Sequence, residues 1–266
     1  MLIVVSPAKS LNYTSPLPTK KFTEPRMLDR SAELIEIMRA KTPEQIADLM
    51  DISPSLAGLN HERYHDWERP FTRKTARAAV LAFDGDVYMG MDARNTFGER
   101  DFTHAQKTLR ILSGLYGVLR PLDLMMPYRL EMGSKVSGAH GRDLYAFWGD
   151  TITDSLRADI EESPGTKVLV NLASNEYFGS VRPARLGAPV ITPTFLDADA
   201  TGNYRIVSFF AKRARGAMTG WIIRDRVTAA RSLREFVGLG YRFEPTRSTT
   251  NAPTFVREGA GSPPSA

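Results

Sequence analysis

The sequence contains no cysteine, and other signals of location are also missing. Without cysteine the chain itself forms no disulfide, binds no metal through thiolates and performs no thiol redox chemistry. No apolar run approaches the roughly 20 residues that a membrane-spanning helix needs. The segment Met1–Lys9 lacks the length and the basic region of a secretory signal peptide. We therefore expect a cytoplasmic protein with no membrane partner.

Common motifs of catalysis and cofactor binding are absent as well. The chain has no Walker loop, no G-x-G-x-x-G, no G-x-S-x-G and no H-E-x-x-H. His61 and His65 lie four apart on a predicted helix, a spacing that can hold a metal ion. No third ligand is evident, and helix-surface histidines are the alternative. We predict neither a metal site nor a cofactor.

The composition is that of an ordinary globular protein. The 266 residues are 42% hydrophobic and 24% charged, with a formal net charge of +5. This length is enough for a sizeable core in one domain. We predict a single domain over residues 1–257. The segment 258–266 contains mainly glycine, serine and proline, which predicts a disordered tail.

Hydrophobic periodicity predicts an α+β fold, in which a mixed sheet is surrounded by helices. Predicted helices occupy the region 26–83 as four segments (26–38, 43–51, 54–67 and 72–83), and further helices occupy 101–113, 144–160 and 211–224. Predicted strands occupy 2–5, 87–89, 129–132, 167–172, 190–196, 204–210, 241–243 and 254–256. The polar, glycine-containing segment 197–203 predicts a hairpin between the strands on either side, and the last two strands are expected at a sheet edge.

Positive charge is concentrated between Arg205 and Glu235, a segment that contains eight lysines and arginines but only two acidic residues. Three of these cations, which share the predicted helix 211–224, are candidates for binding DNA phosphates: Lys212, Arg213 and Arg215. Gly216 and Gly220 each cost roughly 1 kcal/mol relative to alanine inside a helix. They indicate either the close approach of a phosphate backbone over a basic face or close helix–helix packing.

Polar side chains follow two predicted buried strands, where open α/β sheets bind ligands. Lys9 follows the first strand. Asn171 lies at the end of the predicted strand 167–172, and Asn175 and Glu176 follow this strand. They are candidates for binding a small polar ligand or for acid–base chemistry. The alternative is that they only cap a helix and form turns.

Charged residues lie within the mostly apolar segment 113–132, where a buried charge must be paired. Arg120 and Asp123 are candidates for a structural ion pair. Arg129 and Glu131 lie two apart on a predicted strand and therefore project from one face, where they would line a cleft with Lys9. Gly114 and Gly117 are similar to the glycines of a helix-hairpin-helix, although these are usually two apart and here are three apart.

Six longer motifs resemble the YaaA family. They are IVVSPAKSL (3–11), FDGDVY (83–88), LSGLYGVLRPLD (112–123), PYRLEMG (127–133), NLASNEYF (171–178) and FFAKRARG (209–216). The resemblance extends from Met1 to about Phe243. It implies a single compact domain of the YaaA type, with a basic cleft and a helix-hairpin-helix-like element that binds DNA. It also implies a cytoplasmic bacterial protein of the peroxide-stress response, associated with lowering free iron and so limiting oxidative damage.

Two hypotheses for function follow. In the leading hypothesis the chain binds DNA largely without sequence preference, because phosphate contacts carry no base information. The candidate contacts are Lys9, Gly114, Gly117, Arg120, Arg129, Lys212, Arg213 and Arg215. In the alternative, an enzyme acts on a small anionic or nucleotide-like substrate. Its candidate residues are Lys9, Glu131, Asn171, Asn175, Glu176 and Lys212. Both hypotheses require Lys9 and Lys212 to share one cleft, and glutamates inside it would favour the alternative.

Overall fold

At the centre of the molecule, five strands form a mixed sheet around β1 (Leu2–Val5). The computed structural model describes residues 1–258, so that most of the predicted tail, 259–266, lies outside the described residues. The remaining strands are β2 Arg77–Ala78, β3 Leu109–Ser113, β4 Gly117–Leu119, β5 Leu124–Met125, β6 Leu169–Leu172, β7 Val190–Ile191, β8 Thr194–Ala198, β9 Tyr204–Arg205, β10 Arg242–Phe243 and β11 Thr254–Arg257. The α-helices are α1 Leu28–Arg39, α2 Pro43–Met50, α3 Pro54–Asp66, α4 Ala79–Ala82, α5 Asp86–Met91, α6 Ala93–Thr96, α7 Glu99–Thr108, α8 Leu144–Trp148, α9 Thr151–Glu162, α10 Asn175–Phe178 and α11 Ser208–Arg224. These elements form one compact α+β domain with mixed sheets, as predicted.

The central sheet has the strand order β4-β3-β1-β6-β7. β1 pairs in parallel with both β3 and β6, and β6 pairs in parallel with β7, whereas β3 and β4 form an antiparallel hairpin. Every residue of β1, β3 and β6 is buried. These strands are covered on both faces, which explains why their sequences are mostly apolar rather than alternating.

The connections of this sheet diverge at the carboxyl ends of its central strands and leave a crevice there. The chain leaves β1 toward β3 on one side, and it leaves β6 toward β7 on the other side. Because β1 and β6 are parallel neighbours, their carboxyl ends meet where the two connections diverge. Open sheets bind ligands at such a switch point.

The first three predicted helices are confirmed, and local signals explain where they begin. The hydroxyl of Thr42 accepts a hydrogen bond from the backbone N–H of Gln45, and the Gln45 side chain accepts one from the backbone N–H of Thr42. Pro43 occupies the first turn of α2, where its missing N–H costs nothing. Ser53 and Pro54 begin α3 in a similar way.

Several predicted elements are wrong because short buried segments do not reveal their period. Residues 87–89 belong to α5 rather than to a strand. The predicted helix 72–83 contains β2 and α4 instead. The predicted helix 101–113 ends at Thr108, and the chain continues as β3, whose full burial satisfies a helical apolar pattern equally well. The predicted helix 144–160 is divided into α8 and α9 at Gly149, which has a φ of 50°.

The predicted strand 129–132 is also wrong, although its alternation is real. Leu130 and Met132 are buried, whereas Arg129 and Glu131 are only half-buried. The segment has no regular secondary structure. The backbone of this segment approaches Gly114 in the β3–β4 turn closely instead of pairing within a sheet.

The last third of the chain forms a second sheet with the order β10-β11-β8-β9. The predicted hairpin is confirmed, because β8 and β9 pair antiparallel around 199–203. The strand predicted over 204–210 ends at Arg205, and α11 already begins at Ser208. Of the last two strands, β10 lies at an edge of this sheet as predicted, whereas β11 lies between β10 and β8.

The helix α11 packs very closely against α5. A Cβ at Gly216 would lie 1.9 Å from the carbonyl oxygen of Val87, and one at Gly90 would lie 2.1 Å from that of Arg213. A Cβ at Gly220 would lie 2.6 Å from the carbonyl oxygen of Met91. The glycines of α11 therefore serve helix–helix packing rather than the approach of a phosphate backbone. Across residues 1–258, no helix combines the length and apolar character that crossing a membrane requires.

Candidate functional site

A cleft of about 420 Å³ lies beyond the carboxyl ends of β1 and β6, and we call it the strand-end cleft. Five parts of the chain, far apart in sequence, form its walls. They are the loop 6–10 after β1, the segment 84–88, Glu131 of the segment 129–132, the segment 172–177 at the end of β6, and one face of α11. Gly85 allows two of these walls to meet, since a Cβ there would lie 2.9 Å from the Cβ of Ala8.

The charged side chains that line the strand-end cleft are three cations and four carboxylates. The cations are Lys9, Lys212 and Arg215, and the carboxylates are Asp84, Asp86, Glu131 and Glu176. Lys9 and Lys212 therefore share one cleft, as both hypotheses require. The predicted basic character of the cleft is not confirmed, because acidic side chains outnumber basic ones along its walls.

Glu131 connects two cations at the edge of the cleft. Its Oε2 atom lies 2.8 Å from Nζ of Lys9, and its Oε1 atom accepts a 3.0 Å hydrogen bond from Arg129. The carboxylate is 22% exposed and Lys9 is 63% exposed. The predicted meeting of Lys9, Arg129 and Glu131 is thus observed. Arg129 reaches the cleft only through Glu131.

Glu176 lies in the cleft wall and is also held in place. Its Oε1 atom accepts a 2.9 Å hydrogen bond from the backbone N–H of Gly133. Both Glu131 and Glu176 therefore face the cleft, together with the lysines. This arrangement favours a small polar ligand over a nucleic-acid backbone, because carboxylates repel phosphates.

Hydroxyl groups complete the floor between the two strands. The backbone N–H of Ser174 donates a 2.8 Å hydrogen bond to Oγ of Ser6, which fixes the loops after β1 and β6 to each other. The hydroxyl of Tyr88 donates to the carbonyl oxygen of Ser6 at 3.0 Å. Burial raises the pKa of Tyr88 well above its usual range, so this phenol remains neutral.

Arg215 is the cation of the cleft with the least compensation. It is half-buried, and no carboxylate of residues 1–258 lies within salt-bridge distance of its guanidinium. Burial lowers the pKa of Arg215, which shows that lost hydration has not been replaced by an anionic partner. Lys212, one helical turn earlier, is exposed at the mouth of the cleft.

Other predicted site residues lie outside the lining. The guanidinium of Arg213 is 3.8 Å from Asp86 and contacts the sulfur of Met89 at 3.3 Å. Arg120 pairs at 2.8 Å with Asp123, which is fully buried, so this pair pins a loop.

The two predicted asparagines also have other roles. The side-chain oxygen of Asn171 accepts a hydrogen bond from the backbone N–H of Ala173 and shapes the loop after β6. Asn175 is exposed at the start of α10. Neither asparagine lines the strand-end cleft.

Gly114 lies in the turn of the β3–β4 hairpin and Gly117 is the first residue of β4, so neither glycine lies between two helices. Both are buried, so their backbone groups do not face a surface where DNA would contact them. A Cβ at Gly114 would lie 2.3 Å from the carbonyl oxygen of Leu130. Gly117 has a φ of +66°, and a Cβ there would meet Trp148 at 2.8 Å. Gly114 therefore lets the hairpin pack against the segment that carries Glu131, and Gly117 lets it pack against Met27 and Trp148.

Sequence reasoning missed several residues of the lining, and Asp84, Asp86 and Tyr88 are the most polar group among them that comes from one motif. All three lie in the motif at 83–88, which was one of the signals of the resemblance. The rings of His61 and His65 lie 4.4 Å apart on α3, away from the cleft. No set of three or more histidine, aspartate or glutamate side chains within residues 1–258 is arranged to hold a metal ion.

A comparison with protein families agrees with the motifs that line this cleft. The family described as peroxide stress protein YaaA matches residues 1–247, which include every lining residue of the strand-end cleft. Because the match covers most of the chain, the chain belongs to the YaaA family of peroxide stress proteins.

Proposed function

We propose that the chain contributes to the peroxide-stress response of its cell by binding a small anionic ligand in the strand-end cleft. The observation that carries this proposal is Arg215, a half-buried guanidinium without a carboxylate partner in residues 1–258. Lys212 and Lys9 line the same cleft. An anion between these groups would restore the interactions that Arg215 lost on burial.

The size and charge of the cleft support a small ligand. A volume of about 420 Å³ is in the range of pockets that enclose a metabolite or a nucleotide. Asp84, Asp86 and Glu176 would repel a continuous phosphate backbone, but they can accept hydrogen bonds from the hydroxyl or amino groups of a small molecule. The ligand class is therefore an anion that also carries hydrogen-bond donors.

Sequence-independent DNA binding is the second candidate function, and one observation favours it. Several cations of the segment 205–235 are exposed, including Lys212, Arg224, Arg231 and Arg234. Such a surface would bind phosphates with an affinity that falls by roughly 0.9 log units per log unit of salt for each phosphate neutralised. A cytoplasmic location and an effect on free iron belong to the same proposal, and both come from the family resemblance alone.

One pair of matched variants separates the two candidates. Lys212→Ala/Arg215→Ala removes two charges from the cleft, and Arg231→Ala/Arg234→Ala removes two exposed charges elsewhere in the segment 205–235. The wild type and both variants would be compared in two assays. The first is calorimetry with AMP and with pyrophosphate, and the second is fluorescence titration with duplex DNA at two salt concentrations. We expect only the cleft variant to lose AMP or pyrophosphate binding, by about tenfold or more.

Other outcomes would change the assignment. Salt-sensitive DNA binding that weakens in the Arg231/Arg234 variant would favour the second candidate. If the wild type bound neither class of ligand, both candidates would be wrong. In cells lacking the protein, we expect the Arg231/Arg234 variant to restore peroxide resistance and the cleft variant to fail.

A further inference from the structure

A second concave surface runs along α7, and we call it the α7 groove. It has a volume of about 340 Å³. Its charged lining consists of Lys21, Glu99, Arg100, His104, Lys107 and Arg226. None of these residues lines the strand-end cleft or was a candidate in the sequence. The groove therefore requires a separate explanation.

Helical spacing places three basic side chains on one face of α7. Arg100, His104 and Lys107 are separated by four and three residues, so that they lie one above the other. Arg100 and Lys107 are exposed, and neither has a carboxylate partner within residues 1–258. Their charges are thus available to a ligand.

Two further cations are held at the sides of the groove. Nζ of Lys21 lies 2.9 Å from Oε2 of Glu99 and donates a 2.8 Å hydrogen bond to Thr103. The guanidinium of Arg226 lies 2.6 Å from a carboxylate oxygen of Asp101. These bonds already restrict the side chains of Lys21 and Arg226. Binding a ligand there therefore costs less conformational entropy.

His104 reports the electrostatic potential of the groove. Its Nε2 atom is buried and has no hydrogen-bond partner in the described residues. Burial lowers the pKa of His104, and so do the charges of Arg226, Lys107 and the N-terminal ammonium of Met1, against the opposing effect of Asp101. Apart from these groups, Lys21, Arg100 and Glu99 face the groove. The local potential is therefore positive, and an anion would lower it.

We propose that the α7 groove binds a phosphate-type oxyanion, either free phosphate or the phosphoryl group of a small metabolite. Arginine and lysine around a tetrahedral anion supply several donors at once. The volume leaves room for a small organic group beside the phosphoryl group. This site is independent of the strand-end cleft and of the function proposed for it.

The ring signal of His104 provides a direct test in the full chain. Its NMR resonances, identified with a His104→Gln variant, would be followed during titration with sodium phosphate, with glycerol phosphate and, as the reference, with sodium chloride at matched ionic strength. We expect a saturable shift with phosphate and a higher pKa of His104 in its presence. A larger effect of glycerol phosphate would identify the metabolite as the source.

Variants define the groove as the place of binding. Arg100→Ala/Lys107→Ala should weaken phosphate binding by about tenfold. Arg231→Ala/Arg234→Ala, which removes the same charge elsewhere, should leave binding unchanged. The four residues replaced in these two variants are exposed, so both proteins should fold. The inference is overturned if phosphate shifts His104 no more than chloride does, if only the Lys212→Ala/Arg215→Ala protein loses the shift, or if duplex DNA alone moves the signal.

Discussion

The strand-end cleft and the α7 groove both gather cations, but they are built in different ways. The cleft combines five separate parts of the chain, and its walls carry more acidic than basic side chains. In the groove, Arg100, His104 and Lys107 come from a single helix face, and Glu99 is the only acidic side chain of the lining in the described residues. The cleft can therefore select a ligand by shape and by donors and acceptors, whereas the groove offers mainly charge.

Burial separates the two sites further. Arg215 in the cleft is half-buried, whereas Arg100 and Lys107 in the groove are exposed. Interactions of exposed charges are weakened by water and salt, and those of partly buried charges are weakened less. An anion should therefore be bound more specifically in the cleft and more weakly in the groove.

The largest expected effect separates the sites through packing. In Gly216→Ala the new Cβ would meet the carbonyl oxygen of Val87 at 1.9 Å, so α5 and α11 must move apart. We expect the free energy of unfolding to fall by about 1–3 kcal/mol or more, and AMP or pyrophosphate binding in the cleft to be lost. Phosphate binding in the groove should persist wherever the protein is folded.

Gly58→Ala is the matched control for this prediction. Gly58 lies inside α3, and no atom lies within 4 Å of its added Cβ. The alanine should raise the free energy of unfolding by about 0.5–1 kcal/mol. Urea unfolding measures both variants, and equal stabilities would contradict the role of Gly216 in close packing.

Removal of one carboxylate should affect the two sites unequally. Glu131→Gln frees Lys9 and removes a negative charge from the cleft, so we expect anion affinity there to rise by about threefold to tenfold. Glu99→Gln frees Lys21 in the groove, but Glu99 is 55% exposed whereas Glu131 is 22% exposed. Its effect on phosphate affinity should be about twofold or less. Calorimetry would measure both affinities. An effect of Glu99→Gln as large as that of Glu131→Gln, or larger, would show that burial does not control the strength of these ion pairs.

Salt provides a further contrast. Between about 0.05 M and about 0.5 M ionic strength the screening length falls severalfold. Phosphate binding in the groove should weaken more steeply than binding of the same anion in the cleft, because Arg100 and Lys107 are exposed. Titrations of Arg100→Ala/Lys107→Ala and Lys212→Ala/Arg215→Ala isolate one site at a time. Parallel salt dependence of the two sites would remove this distinction.

The smallest effect concerns pH. The pKa of His104 in the folded protein lies below its usual value of 6.5, so the unfolded chain binds more protons over that interval. The free energy of unfolding should therefore rise with pH up to about 6.5 and fall as the medium becomes more acidic. Phosphate in the groove should reduce this loss. In the His104→Gln protein, phosphate should no longer change how the free energy of unfolding depends on pH. Urea unfolding at several pH values measures this dependence.

Local chemistry explains which predictions from the sequence were accurate. The starts of α2 and α3 depend on Thr42, Ser53 and the prolines that follow them, and these signals act within one turn. Strands β1 and β6 lie in short, mostly apolar runs that a polar residue or a turn follows closely. The segments 87–89 and 109–113 were misassigned because a fully buried segment has no polar face to define its period.

The candidate sites show the same division between local and distant information. Lys9, Glu131, Glu176, Lys212 and Arg215 were predicted because they follow strands or lie in unusual motifs, and all five line the cleft. Arg120 was also predicted, but its proximity to the buried Asp123 decided its role as a structural ion pair. The glycines at 114 and 117 were interpreted through their spacing, whereas their neighbours in space give them a packing role.

The sequence by itself determined the α+β class, the caps of the early helices, the membership of the YaaA family and the concentration of charge between Arg205 and Glu235. Only the tertiary structure decided that Lys9 and Lys212 share a cleft, that carboxylates outnumber cations there, and that three basic side chains along α7 face a second groove. The physical reason is the distance along the chain over which each kind of interaction acts. Caps and periodicity act between neighbours in the chain, whereas the charge of a site depends on side chains that meet only when parallel strands and close-packed helices bring distant segments together.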